Sequence, residues 1–401
     1  MHYRPLLPNG KEAPLSWQIK SSFIFGTWPT TENTTNLEKR LHRLIFLWCA
    51  LLLCAAFCGQ FYEVVLQKDD IVIMIQVMLN LLLTLECIIR IGWLALKKDN
   101  FQEFLKELYS KIYFDENIDK DMHRKIRKHL RPANIFSVWY LLTMISFYVE
   151  PIQGIIIGER YLPYRMTIPF DYRPWPIYTA ILIICLNVGC LVLTVVMSES
   201  YMLATSIFNL NGRFLLLEEE ISNLGDAVLK YENSKTMADH FNQRLIALIK
   251  RNVDLIKFAD RVESQFTLPL FVMMADSAVM LCLVAFNLNE MGLVPQSIKY
   301  IFWLLAKVLE LVVLGYLGSV ISTRIDGLGT TYYASGWEKV IHKSPNTKAN
   351  VRTMKLITLA ISFNQRPFML TGMRFFYVSL ETTVTILQVA GSYFTFLRSI
   401  R

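Results

Sequence analysis

The sequence lacks the residue patterns on which catalysis, metal binding or disulfide bracing would depend. All seven cysteines lie inside long apolar stretches, which excludes a disulfide-braced outer domain and predicts buried, unpaired cysteines. There is no His-Glu-x-x-His, no Gly-x-Ser-x-Gly and no phosphate-binding loop, and the six histidines are scattered. We therefore predict no enzymatic activity, no catalytic residues, no metal site and no cofactor.

Seven long apolar stretches dominate what is present. The chain has 401 residues, of which 53% are hydrophobic, a composition typical of an integral membrane protein. Each stretch supplies the ~20 residues that a helix needs to cross a ~30 Å hydrocarbon layer. The sequence thus predicts an all-α membrane protein with seven spanning helices. These spans 1 to 7 cover residues 44–66, 71–96, 135–157, 177–207, 266–286, 298–320 and 375–397.

Lysine and arginine are unevenly distributed between the segments that connect the spans. The segments before span 1 and after spans 2, 4 and 6 contain 32 of them, whereas those after spans 1, 3, 5 and 7 contain 6. Because cytosolic segments retain basic residues, this bias predicts a cytosolic N-terminus and an extracellular C-terminus. The net charge of +8 is then concentrated on the side where anionic lipid is richest, so we predict no nucleic-acid binding.

This orientation is opposite to that of a G-protein-coupled receptor. Such a receptor would also usually carry an Asp/Glu-Arg-Tyr-type triplet at the end of helix 3 and Asn-Pro-x-x-Tyr in helix 7, and neither motif occurs. No cleavable signal sequence is visible, so span 1 is expected to direct insertion. The single glycosylation sequon, at Asn33, is expected to stay in the cytosol and unmodified.

The segments between the spans predict the organisation of the chain. Apolar residues at helical spacing between Leu245 and Phe258 require burial, so spans 4 to 7 are expected to extend into a cytosolic packing domain, either within one subunit or between subunits. The predicted regions are a cytosolic N-terminal segment 1–43, spans 1 to 4 at 44–207, a cytosolic helical extension 208–265, spans 5 and 6 at 266–320, a cytosolic helical segment 321–374, and span 7 with an extracellular C-terminus at 375–401.

Charged residues inside spans need a partner or a cavity because lipid does not stabilise them. Glu86 and Arg90 are four residues apart in span 2, and Lys307 and Glu310 are three apart in span 6. Both spacings predict local ion pairs. Asp276 in span 5 has no partner in its own helix, and we expect an interhelical hydrogen bond.

Span 7 carries a polar stripe along one helical face. Lipid does not tolerate such a stripe, which leaves hydrogen bonding to neighbouring helices or a water-filled pore formed by several copies of span 7. One helix cannot enclose a pore, so the second interpretation requires an oligomer. The stripe consists of Glu381, Thr385, Gln388, Ser392, Thr395 and Ser399.

The C-terminal segment 353–401 resembles the insect odorant receptor family. The resemblance is carried by the amphipathic run before span 7, the Asn-Gln-Arg-Pro-Phe block at 364–368 and Ser-Tyr-Phe at 392–394, together with the length and span layout. The sister gustatory family has Gln-Phe where this chain has Ser399-Ile400. The universal co-receptor has a much longer insertion between spans 4 and 5. The chain is therefore similar to a ligand-tuning odorant receptor subunit.

The resemblance implies a ligand-gated, cation-conducting tetramer with the co-receptor, in the plasma membrane of olfactory neuron dendrites. Copies of span 7 would line its pore, with a hydrophobic gate near the outer end of span 7 at Phe396 and Ile400. The pore and gate candidates are Gln388, Ser392, Thr395, Phe396, Ser399 and Ile400.

The resemblance also implies a ligand pocket in the outer half of the membrane, among spans 2, 3, 4 and 6. Methionines and aromatics with few hydrogen-bond donors are typical of a site for a small hydrophobic volatile molecule. For each residue, plain helix packing is the alternative. The candidates are Met74, Met78, Ser146, Phe147, Tyr148, Tyr178, Ile181, Cys185, Tyr300 and Trp303.

Three other functions stay open at this stage. A gustatory-type ligand-gated channel is the near alternative. A G-protein-coupled receptor would be supported by glycosylated Asn33 or an extracellular N-terminus. A small-solute transporter would show saturable uptake in place of unitary currents.

Overall fold

A computed structural model describes residues 2–31, 34–231, 233–292 and 294–399 of the chain. The sequon residue Asn33 and the gate candidate Ile400 lie outside the described residues, as does the side chain of Ser399.

The described ranges fold almost entirely into helices. Six of these helices are long and apolar enough to cross a membrane, and they contain spans 1 to 6. The α-helices are α1 Trp17–Ser21, α2 Asn36–Leu66, α3 Ile71–Leu96, α4 Lys98–Glu107, α5 Lys120–His129, α6 Arg131–Ile157, α7 Trp175–Ser222, α8 Leu224–Tyr231, α9 Met237–Met291, α10 Ile298–Tyr333, α11 Trp337–Lys343, α12 Thr347–Asn364 and α13 Leu380–Ser399, with a π turn at Leu108–Ile112 and a 3-10 turn at Pro295–Ser297.

Local capping sets several of these helix ends. Thr35 and Glu38 form a reciprocal capping box at the start of α2, and the Asp70 carboxylate accepts from the N–H groups of Val72 and Ile73 at the start of α3. Such caps satisfy backbone donors that have no partner inside the helix. Spans 1 and 2 therefore meet in a short connection at 67–70.

Helix α13 holds residues 380–397 of span 7, and it lacks an 18-residue window as apolar as those of the other six helices. Its 20 residues correspond to about 30 Å at 1.5 Å per residue, which is enough to cross the hydrocarbon layer. The polar stripe explains why it is not among the six most apolar helices. The seven-helix architecture is thus complete, and its orientation remains the prediction made from charge.

Spans 4, 5 and 6 continue well beyond membrane thickness, as predicted. Helices α7 and α9 contain 48 and 55 residues, or about 70 to 80 Å by the same rise. The apolar stripe on the first half of α9 is buried, with Leu245 at 0% and Phe258 at 1% exposure. The long helices therefore pack against each other within one subunit.

The approach to α13 differs from the expected continuous helix. The predicted span starts at 375, but a two-stranded antiparallel hairpin pairs Thr371–Gly372 with Phe376–Tyr377, and α13 begins at Leu380. The tight turn places Met373 and Arg374 at positive φ, 49° and 62°, which a helix does not allow. The segment before α13 is thus a separate helix, α12, joined by a hairpin.

The first turns of α13 lie directly against α10. A Cβ on Gly318 would meet the Val378 carbonyl oxygen at 1.8 Å, and one on Gly315 would meet Thr383 Oγ1 at 2.2 Å. Glycine is required here by close approach of the two chains. Thr383 Oγ1 also donates to the Leu311 carbonyl at 3.1 Å, so α10 and α13 are rigidly joined.

The charged residues inside the spans form the predicted ion pairs. Arg90 Nη1 lies 2.7 Å from Glu86 Oε1, and Lys307 Nζ lies 2.9 Å from Glu310 Oε2. The partners of Asp276 lie on other helices, as expected, since its carboxyl lies within hydrogen-bonding reach of Glu86 and 3.4 Å from Lys307 Nζ. It joins an interhelical charge cluster.

The cysteines are unpaired, as predicted. Cys54 and Cys58 depart from the expected burial, since both lie on the exposed side of α2. This side of span 1 packs against nothing else in the described chain, where thiols suit lipid as well as a protein interior.

Candidate ligand pocket and polar helix face

An apolar cavity lies within the helix bundle, between α2, α3, α6, α7 and α10. It offers ≈ 80 Å³ to the centres of water-sized molecules. Its lining consists of Gln60, Asn80, Leu83, Thr84, Tyr140, Thr143, Met144, Phe147, Tyr148, Tyr164, Val188, Gly189, Val192, Leu193 and Trp303.

Three polar hydrogens in this lining have no partner among the described residues. The Tyr140 hydroxyl, the Tyr148 hydroxyl and the Trp303 indole N–H are buried and make no hydrogen bond. Leaving a buried donor unsatisfied costs about 1–3 kcal/mol, so such groups occur together where a ligand supplies the acceptor. The cavity is therefore apolar but contains three hydrogen-bond donors that have no partner among the described residues.

The polar corner of the cavity is already satisfied. The Thr84 hydroxyl lies 3.0 Å from Gln60 Oε1 and 2.8 Å from the Asn80 carbonyl, and these two acceptors share its single hydrogen. Asn80 Nδ2 donates to the Gln76 carbonyl at 2.9 Å. These bonds tie α2 to α3 and hold that wall of the cavity in place.

Aromatic rings form the wall towards α10. Phe147 packs edge-on against Trp303, with ring centroids 5.4 Å apart, and against Tyr300 at 6.3 Å. The Tyr164 hydroxyl donates to the Cys185 carbonyl at 3.0 Å, and burial raises the pKa of Tyr164 well above its ordinary value. Tyr164 thus stays neutral and fixes the loop that covers the cavity.

A larger polar chamber, the vestibule, adjoins the cavity. It offers ≈ 500 Å³ on the same measure and shares Asn80, Phe147 and Tyr164 with the cavity. In its wall, Lys299 Nζ lies 2.5 Å from Glu150 Oε2. The three shared side chains lie between the polar vestibule and the apolar cavity.

The structure distributes the ten predicted pocket residues unevenly. Phe147, Tyr148 and Trp303 line the cavity, and Tyr300 lines the vestibule. The Tyr178 hydroxyl donates to the Tyr161 carbonyl at 2.8 Å. The others do not line either space: Ser146 Oγ donates to the Thr143 carbonyl of its own helix at 2.6 Å, Cys185 meets the site through its backbone, and Met74, Met78 and Ile181 lie elsewhere on α3 and α7.

Sequence reasoning missed the contributions of span 1 and the outer segment. Gln60 lies in span 1 and Tyr164 in the Pro- and aromatic-rich segment 158–176. A glutamine in an otherwise apolar span and a tyrosine among prolines were the available signals. Neither has a periodicity that points to a cavity.

The polar stripe of α13 lies on a face that the rest of the chain leaves uncovered. Gln388, Ser392 and Thr395 are exposed, and Phe396 is 57% exposed beside them. The hydroxyls bond within their own helix, since Ser392 Oγ donates to the Gln388 carbonyl at 3.0 Å and Thr395 Oγ1 to the Ser392 carbonyl at 2.8 Å. Thr383 and Ala390, on the opposite face, are buried. Among the described residues, no neighbouring helix bonds to the side chains of Gln388, Ser392 or Thr395.

Comparison with known proteins places this architecture in a family. The family model described as 7tm Odorant receptor matches residues 70–391. Odorant receptor 74a of Drosophila melanogaster is 34% identical over all of this chain and 99% of its own, and Odorant receptor 35a of the same species is 28% identical over all of this chain and 98% of its own. The structure of the insect olfactory receptor OR5 from Machilis hrabei in complex with eugenol is similar in fold, with a TM-score of 0.78 and 13% identity over 96% of this chain and 98% of that one.

Proposed function

Because this chain belongs to the insect odorant receptor family, whose members form ligand-gated channels, we propose that it is an odorant-gated, cation-conducting channel subunit. It is a multi-pass membrane protein by its helices and family. The proposal adds three points, which are the ligand class, the pore helix and the partner.

The ligand is a small, largely apolar volatile molecule that carries one acceptor oxygen. Apolar walls provide dispersion and burial, and the unpartnered donors of Tyr140, Tyr148 and Trp303 supply the polar recognition. This group of three unpartnered donors in one apolar cavity is the observation that carries the proposal. The cavity is small, and we expect a small ligand.

The pore is lined by α13 in an oligomer. Its exposed stripe, which includes Gln388 and Ser392, is too polar for lipid, and a single helix cannot surround water. Symmetry-related copies would turn the stripe towards a common axis. Phe396 would stand near the outer end as part of the gate, followed by Ser399 and Ile400.

Helix α10 connects the pocket to the pore helix. Trp303 lines the pocket, and two turns further on Leu311 accepts from Thr383 of α13. A ligand that binds more tightly when α10 is displaced will displace α13 as well, because the two chain segments are in close contact at the glycines of α10. Opening is then a population shift driven by differential ligand affinity.

The partner is the insect odorant co-receptor, in a hetero-oligomer at the plasma membrane of olfactory neuron dendrites. The sequence favours the ligand-tuning role because the segment between spans 4 and 5 is short. Several copies of α13 are required to enclose a pore, and the partner supplies the remaining ones.

The experiment is expression with and without the co-receptor, followed by ion-flux recording with matched volatile pairs. Each pair has one straight-chain hydrocarbon and one alcohol or ester with the same number of non-hydrogen atoms. We expect the strongest responses to small oxygenated members, and only with both subunits present. Preference for the hydrocarbons would contradict the proposed ligand class.

A further inference from the structure

A cluster of six charged side chains is buried just below the pocket, where four helices meet. None of the six lines the pocket, and together they connect α3, α7, α9 and α10. Five have side chains no more than 7% exposed, and the sixth, Glu199, is 13% exposed. The cluster consists of Glu86 and Arg90 on α3, Glu199 on α7, Asp276 on α9, and Lys307 and Glu310 on α10.

Arg90 bridges two carboxylates, and Lys307 contacts three. Arg90 binds Glu86 and, through Nε, Glu199 Oε2 at 2.7 Å. Lys307 Nζ binds Glu310 and lies 3.1 Å from Glu86 Oε2. Glu86 is thus shared by both cations, and buried charges are paired as their desolvation requires.

Acidic groups nevertheless outnumber basic ones, by four to two. Glu199 borders a small separate cavity with Trp93 and Gln265, where water can solvate it. The fully buried part of the cluster then has three carboxyl groups and two cations. The carboxyl groups are Glu86, Asp276 and Glu310, and the cations are Arg90 and Lys307. One carboxyl has no counter-charge, and an uncompensated charge inside a membrane bundle is strongly disfavoured.

The geometry identifies Asp276 as that carboxyl. Its distance to Lys307 Nζ, 3.4 Å, is the longest of the three carboxyl distances to that cation. Asp276 Oδ2 and Glu310 Oε1 both lack a hydrogen bond among the described residues, but the other oxygen of Glu310 accepts from Lys307 at 2.9 Å. The Asp276 carboxyl also lies within hydrogen-bonding reach of the Glu86 carboxyl. Two carboxyl groups in contact need a proton between them.

The other titratable groups facing the cluster do not change this count. They are the Tyr140 hydroxyl of α6 and the Cys87 thiol of α3, both neutral at ordinary pH. On α13, Thr383 donates to the carbonyl of Leu311, the residue next to Glu310, and Thr383 does not titrate.

We propose that Asp276 is a proton-binding site, whose proton forms a hydrogen bond to the Glu86 carboxylate. With this proton in place, Glu86 and Glu310 balance Arg90 and Lys307, and the buried part of the cluster is neutral. The proton links α9 to α3 directly beneath the cavity, one helical turn of α10 below Trp303. The proposal does not depend on which odorant the receptor detects.

The test uses infrared spectroscopy of the full chain, purified in lipid nanodiscs at neutral pH, in H₂O and D₂O. Surface carboxyls are ionised there, so the carbonyl stretch of an un-ionised acid reports only buried protons. Asp276→Asn retains the shape and one donor of a protonated aspartate. Asp254→Asn, on the exposed side of the same helix, is the matched control.

We expect the wild-type chain and Asp254→Asn to show a deuterium-sensitive band of an un-ionised acid. Asp276→Asn should lack this band and still show a thermal unfolding transition. An Asp276→Asn chain that fails to fold would overturn the proposal, because asparagine replaces an ionised group poorly but a protonated one well. A band that persists in Asp276→Asn, no band at all, or a band that sodium abolishes relative to choline would overturn it as well. The last result would mean that a metal cation occupies the cluster.

Discussion

Tyr148→Phe tests the unused donors of the pocket most selectively. The Tyr148 hydroxyl lines the cavity, is buried and has no partner among the described residues. In the ligand-free state its removal deletes an unsatisfied polar group, so the free energy of unfolding should stay the same or rise. In the bound state it deletes one hydrogen bond to the ligand oxygen, worth about 0.5–1.5 kcal/mol.

That energy converts to a shift in the half-maximal concentration of about 2- to 12-fold at 1.4 kcal/mol per factor of ten. The assay is the concentration–response curve of the ion current for an oxygenated ligand and for a hydrocarbon of equal size. We expect the rightward shift for the oxygenated ligand alone. Removal of the oxygen does not change the ring packing, so the hydrocarbon curve should not move.

Tyr164→Phe is the matched control for this variant. Tyr164 lines the same cavity, but its hydroxyl already donates to the Cys185 carbonyl. Its loss should lower thermal stability and affect both ligands alike. Equal shifts for both ligands in Tyr148→Phe, or no shift for the oxygenated one, would refute the assignment of Tyr148 as a ligand donor.

Three further predictions concern the pore helix, its support and the N-terminal segment. Gln388→Leu should change the unitary conductance or the cation permeability, while the half-maximal odorant concentration stays within about twofold. The control Val351→Leu, on the exposed face of α12, should change neither. Single-channel recordings of Gln388→Leu that equal those of the wild type would contradict the assignment of Gln388 to the pore. Gly318→Ala should destabilise the chain by about 1–3 kcal/mol through overpacking, because its Cβ would meet the Val378 carbonyl. In the control Gly391→Ala, the added methyl group meets no other atom. Equal melting temperatures for the two variants would contradict the close contact of α10 and α13. Burial lowers the pKa of both His2 and His42 below the ordinary 6.5, so the folded state binds fewer protons than the unfolded state. Docking of the N-terminal segment should therefore weaken as pH falls from 6.5 towards the lowered values. The amide protection factors of residues 17–21, corrected for the intrinsic pH dependence of exchange, should fall over that interval, less so in His42→Gln, and pH-independent protection factors would contradict this.

Much of the fold could be predicted because membrane burial imposes simple patterns. The lengths of the apolar stretches predicted the spans. The helical spacing of the apolar residues before Phe258 predicted the extension of span 5. The local pairs of Glu86 with Arg90 and of Lys307 with Glu310 followed from spacing alone. The hairpin before α13 was not predictable in this way, because its turn uses Met373 and Arg374 at positive φ in place of glycine.

The pocket was less predictable than the fold. Phe147, Tyr148 and Trp303 follow from knowing which spans contribute, whereas Gln60 and Tyr164 come from elements with no visible signal. A cavity is a property of how five helices meet, and one sequence does not encode the gaps between helices as a periodicity. The partnership of Asp276 with Lys307 and Glu86 likewise depends on contacts between α9, α10 and α3.

The most direct test of the account is a recording from excised, cytosol-free patches of cells that express this chain with the insect co-receptor, during application of small oxygenated volatiles. The account predicts rapid, odorant-dependent cation currents with discrete unitary steps that persist without cytosol and are absent with the co-receptor alone. Odorant responses that occur in intact cells but disappear in excised patches would contradict it, because a channel gated directly by ligand needs no soluble messenger.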